Sequence, residues 1–249
     1  MSSLAALPGA KASAGPRKRA DGSFYLGVAL AVALVVAIGF GRTVNENLFH
    51  PALPPSPILY VHVAMFTAWV LLFIAQTALI RSHRVAWHRR LGIAGVILGG
   101  LMPVIGIATA LSISRQHHIL NSPKITAHDE RFLIVSFFDM TAFAVTFWLA
   151  IWWRRRPEIH RRLMLMASCG LTVAAFARFP HWMMPHNAWY VFVDLLILAA
   201  IARDWIVTRR VHPVYRYGLP ALALGQATAM WIYLSGAPAW VAIAHAMLR

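Results

Sequence analysis

Seven blocks of apolar residues, at 24–40, 58–80, 91–111, 131–153, 163–179, 189–207 and 218–235, leave this chain few ways to fold. Each is 17–23 residues long. At roughly 1.5 Å per helical residue, such a block covers most or all of a hydrocarbon core about 30 Å thick. Inside lipid the backbone must satisfy its own hydrogen bonds, so blocks of this length become helices. Charge is correspondingly scarce: 12% of residues are charged, against roughly 25% in soluble domains. The expected fold class is all-α, a polytopic transmembrane bundle of seven helices.

Two segments fall outside the seven blocks. Residues 1–23, small, Pro/Gly-containing and basic, read as a disordered N-terminal tail ahead of a transmembrane domain at 24–249. The first block is longer than a signal-peptide core and no A-x-A site follows it, so it is expected to remain as a span. The stretch "APAWVAIAHAML" (237–248) is too short to cross alone after Gly236 and Pro238. It reads as a short interfacial helix or a kinked extension of the seventh span.

The net charge of +15 raises nucleic acid as a partner. The basic residues, however, sit in short runs between apolar blocks, which is a pattern of membrane topology and excludes nucleic acid in favour of the lipid bilayer. The tail and the ends of spans two, four and six that share its side hold 17 of the 23 Lys and Arg. The positive-inside rule then puts the N-terminus in the cytoplasm and the C-terminus outside, in the periplasm of a bacterial inner membrane. Cys169 is the single cysteine, so no intrachain disulfide forms.

A phrase repeats at the basic side: "WHRRLG" at 87–92 and "IHRRLM" at 159–164, preceded by "FTAW" (66–69) and "MTAF" (140–143). Spans two–three and four–five read as a duplicated hairpin, with spans six–seven a looser echo carrying "HPVYRYG" (212–218). Each hairpin also places one ionisable residue inside its first span: His62, Asp139 and Asp194. A charge there is costly and should find a partner in the bundle. Arg178, at the outer end of span five, reaches that depth, and an Asp139–Arg178–Asp194 cluster is expected. "TAHDE" suggests that span four is capped by Thr126 with Asp129. Pro103 in "GGLMPVIG" is a candidate helix break. Gln76, Gln226 and Thr228 read as interhelical hydrogen-bonding groups.

Eight of the twelve histidines fall on the outer side, where "FPHWMMPHN" (179–187) adds two methionines. Imidazole with thioether suits copper. Haem b is the sharper redox reading, since it needs two histidines on facing helices. His62 is the best outer ligand, with His128, His181 or His186 as partner, and His88 with His160 could form an inner pair. A zinc hydrolase finds no H-x-x-x-H or H-E-x-x-H signature, and the seventh span lacks the lysine of a retinal protein. The functional expectation is an outward-facing polar pocket of His62, Asp139, Arg178 and Asp194 in a redox or metal-centred membrane protein, haem b ahead of copper. The alternatives are a proton- or cation-coupled transporter and an accessory membrane subunit without chemistry.

The phrases "FTAWVLLFIAQTALI" and "WHRRLGIAGVILGGLMPVIG", then "FFDMTAF" and "RRRPEIHRRLMLMAS", then "HPVYRYG" and "GAPAWVAIAHAM" follow in order over most of residues 40–248. In them the chain resembles a widespread group of small bacterial seven-helix integral membrane proteins with no assigned activity. That resemblance implies an inner-membrane bundle and supplies no catalytic residues. The helix–basic–His–helix pattern is also faintly similar to membrane b-type cytochromes that reduce ascorbate. Those carry axial histidines within their spans, whereas His88 and His160 lie at the edges.

Overall fold

A computed structural model describes residues 16–51, 55–119 and 123–249. Nine α-helices follow one another among them: α1 (Pro16–Gly41), α2 (Pro57–Arg81), α3 (Val85–Ile119), α4 (Pro123–Trp152), α5 (Pro157–Gly170), the single-turn α6 (Val173–Phe176), α7 (Trp189–Thr208), α8 (Pro213–Ser235) and α9 (Pro238–Leu248). A five-residue π-turn, Asn45–Phe49, lies between α1 and α2. Four helices are long and apolar enough to cross a membrane, and a fifth span results if α8 and α9, bent by 82°, are taken together. Among the described residues the chain is therefore all-helical, with four to five span candidates by length and composition, compatible with a membrane protein. The expected spans five and six fall short for different reasons. α5 ends after 14 residues, and α7 carries Asp194, Arg203 and Asp204 within its 20.

Local chemistry sets many helix boundaries. Proline opens α2, α5, α8 and α9 in the first turn, where its missing N–H would be unpaired anyway. α8 stops at Gly236, whose φ of 60° suits a residue without Cβ. α1 begins at Pro16, ahead of the expected start at 24, and residues 1–15 of the expected disordered tail lie outside the described residues. α4 starts at Pro123, so Thr126 lies inside the first turns rather than at the cap. α3 runs straight through Pro103; the helix break lies instead at 171–172, between α5 and α6.

α4 is the central post, packed on α3, α5, α8 and α9, while α5 touches α1, α4, α7 and α8. α3 comes close because it presents glycine: Gly95, Gly99 and Gly106 are buried on one face. Trp69 of α2 meets Phe143 and Phe147 of α4 edge-on, at 5.3 and 5.6 Å between centroids. Small residues allow such approach where no hydrophobic effect drives helices together.

The histidines of the repeated phrase fasten the hairpins. Gln76 near the end of α2, with its amide oriented to satisfy its neighbours, donates to His88 Nδ1 (2.5 Å) and accepts from Gly92 N (3.0 Å). His160 Nδ1 donates to the Ala150 carbonyl across the next turn (2.8 Å). In the third hairpin His212 Nδ1 accepts from Val214 N (3.2 Å), capping α8.

A Cβ at Gly99 would stand 2.5 Å from the Phe147 ring and 2.8 Å from Trp69, whereas one at Gly27 would meet nothing. Gly99→Ala should lower stability by about 1–3 kcal/mol and Gly27→Ala should not. Thermal unfolding of the two variants in detergent checks this.

Candidate functional site

Four helices converge on an interior cavity of about 20 Å³ lined by Asp139 and Thr146 of α4, Gly170 of α5, Tyr190 and Val193 of α7 and Gln226 of α8. That volume holds about one water. Tyr190 donates its phenol proton to Asp139 Oδ1 at 2.7 Å. One turn further along α7, on the same face, Asp194 accepts from Gln226 Nε2 at 3.1 Å. Asp139 lines this space and Asp194 is joined to it through Gln226, so two carboxyls on different helices hold neutral partners. Gly170 is the last residue of α5, so the cavity also abuts the break that precedes α6.

The structure brings Asp139 and Asp194 into this cluster and leaves Arg178 outside it. Arg178 donates to the Ala174 carbonyl at 2.6 Å and lies over the Phe40 ring at 4.5 Å. The expected Asp139–Arg178–Asp194 ion pairing is therefore corrected: the phenol and the amide occupy the carboxyls, and Arg178 turns to a carbonyl of its own segment. Arg178 is instead the charge nearest to bear on His62. His62 stacks on Phe66 at 4.0 Å between centroids, with Nδ1 unpartnered among the described residues.

The other histidines disperse. His181 and His186 stack on each other at 3.8 Å between centroids, on the exposed turn before α7. Their parallel planes aim the ring lone pairs side by side, and Met184 of the same turn is buried in the core. His128 is exposed and stacks on Phe132 at 5.7 Å. His88 and His160 are electrostatic neighbours, but each commits Nδ1 to its hairpin. Among the described residues no three His, Cys, Asp or Glu side chains are grouped to hold a metal ion. Nor does a histidine line the interior cavity or the larger groove between the start of α2 and the end of α3.

Sequence reasoning missed a buried ion pair. Arg162 Nε donates to Asp204 Oδ2 at 2.7 Å, the two side chains being 3% and 1% exposed. Arg162 Nη1 also reaches Glu158 Oε2 (2.7 Å), and Arg203 approaches Asp204 Oδ1 at 3.2 Å. Tyr25 of α1 and Tyr215 of α8 lie close enough to feel these charges. Read as topology markers, Arg161 and Arg162 looked equivalent; only Arg162 faces inward. Asp204, three residues beyond Ile201 in an apolar run, was the available signal.

Partial burial acts to raise the Glu158 carboxyl, but the Arg162 hydrogen bond and the charges of Arg161 and Arg162 outweigh it and hold the group below its ordinary value. At the same end, burial first and the Arg162 charge next push the His212 imidazole down. A lowered carboxylate stabilises the fold above its unfolded-state pKa and loses that contribution on acidification. The Glu158 share of the network is thus present at neutral pH and disappears as the carboxylate range is crossed.

No family model, curated protein or solved structure matches the chain.

Removing one partner of a buried pair strands the other, at a cost of about 3–5 kcal/mol, whereas an apolar pair of similar volume is often neutral. Asp204→Asn should therefore lower the unfolding midpoint sharply, and Arg162→Met combined with Asp204→Leu should restore most of it. Thermal melts of the single and double variants decide the matter.

Proposed function

We propose that the chain is a seven-span protein of a bacterial inner membrane that couples the movement of a proton or small cation to transport. In this reading α5 with α6 serves as a broken fifth span, α7 as the sixth and α8 as the seventh, with α9 folded across its outer end. The N-terminus is cytoplasmic and the C-terminus periplasmic, on the count of basic residues.

One observation carries the reading: a helix break meets a water-sized cavity at the Asp139 carboxyl, with Asp194 joined to it through Gln226. Carriers commonly place the ion site where a discontinuous helix exposes backbone ends inside the bundle. Here Asp139 and Asp194 hold only neutral partners, so a positive charge entering the cluster has two unopposed carboxyls to meet. Intramembrane carboxyls of this kind mark ion pathways. A redox centre gains less support, because His62 packs on Phe66 and the candidate partners His128, His181 and His186 lie on exposed positions away from it.

The test is proton flux in proteoliposomes loaded with a pH-sensitive dye, driven by imposed proton, sodium or potassium gradients. Wild-type protein should exchange protons with at least one of these. Asp139→Asn should fall to the level of empty liposomes, and Tyr190→Phe should be slowed with Asp139 still present. Undiminished flux through Asp139→Asn removes the proposal. A Soret band in the purified protein that disappears in His62→Ala would restore haem in its place.

A further inference from the structure

Helices α3 and α4 are 35 and 30 residues long, or roughly 52 and 45 Å at 1.5 Å per residue. Both exceed a hydrocarbon core of about 30 Å, so one end of the pair projects beyond it. α9 folds back onto that projecting end after the 82° bend at Gly236. Its apolar side is modest: Ala244 and Leu248 pack on Leu133, with Trp240 against Phe137.

Polar bonds supply the rest of the attachment. Trp240 Nε1 donates to the Glu130 carbonyl at 3.0 Å, and Arg115 donates to the Met247 carbonyl through Nε (3.1 Å) and Nη2 (2.8 Å). Three imidazoles and two carboxyls then gather between the helices. His245 Nδ1 of α9 meets Glu130 Oε1 of α4 at 2.6 Å. His117 Nδ1 of α3 meets Asp129 Oδ2 of α4 at 2.7 Å. The His118 ring stands edge-on to His245, 5.5 Å between centroids.

We propose that α9 is a pH-sensitive strap, held on the projecting end of α4 by His245–Glu130 and loosened as pH rises, while His117–Asp129 ties α3 to α4 beneath it. Histidine is the side chain whose ordinary titration falls between pH 5 and 8. A protonated imidazole makes a charge-assisted bond to its carboxylate, whereas the neutral ring offers only an ordinary one. The sign follows: the charge-assisted bond is the stronger one, so attachment is tightest in acid and weakens toward alkaline pH. The charged and titratable groups facing the strap are Arg115, His117 and His118 from α3, and Asp129, Glu130 and Arg131 from α4; α9 itself adds His245 and is followed by Arg249. Arg115 and Arg131 keep their charge throughout this range, so the change is carried by the histidines. The Arg115–Met247 bonds act as a fixed hinge while the His245 contact opens.

The strap can be read in the full-length protein by spin-label distances between Ala127→Cys on α4 and Ala242→Cys on α9, both exposed positions. Cys169 is buried and stays in place. At about pH 5.5 a single narrow distance is expected, and at about pH 8 a second, longer component should grow in. Glu130→Gln, which keeps an acceptor for a neutral imidazole, should show the longer component at both pH values. His245→Gln, altering a more exposed group, should abolish the pH dependence and covers the case in which Glu130→Gln fails to fold. A distance distribution that is the same at both pH values in the wild-type background, or an unchanged pH response in His245→Gln, overturns the proposal.

Discussion

Arg162 and Asp204 meet at 2.7 Å where water cannot reach either side chain. Much of the basic end of the bundle is arranged around that contact. Two charges in a low-dielectric interior are tolerated only when paired and otherwise hydrogen-bonded. The pair fixes α5 against α7, and the neighbouring tyrosines bring in α1 and α8. Glu158 in the first turn of α5 extends the network to the surface. A helix of 14 residues would otherwise have little to hold its register in an apolar bundle.

A different rule governs the middle of the bundle. There the carboxyls of Asp139 and Asp194 are met by a phenol and an amide instead of a cation. The contrast with Arg162–Asp204 separates two roles for charge in one chain. Asp204 is locked to an arginine, whereas Asp139 is held by a neutral donor beside a water-sized space.

The repeated HRRL phrases show how far a motif can be read. Their position between apolar blocks was legible, because arginine at a span end is set by hydration alone. Their histidines, read as a ligand pair, each make an Nδ1 bond within their own hairpin. Identical neighbours also concealed the difference between Arg161 and Arg162, which is a matter of helix phase and of what α7 presents opposite. Asp129 and Glu130 behaved similarly: read as a capping sequence, they proved to be partners for histidines 12 and 115 residues away along the chain.

Amino-acid order by itself determined that the chain is helical with segments apolar enough for lipid, where proline and glycine set helix ends, and that Asp139 and Asp194 would need partners. Those features follow from hydropathy over about 20 residues, from proline and glycine at turns, and from the cost of charge in hydrocarbon, all of which are local. Only the tertiary structure decided who the partners are. Tyr190 rather than Arg178 faces Asp139, Asp204 rather than solvent faces Arg162, and α5 rather than α3 breaks. Each outcome depends on rotation and depth of one helix against another, which small residues and a few hydrogen bonds set across the bundle and no stretch of sequence encodes alone.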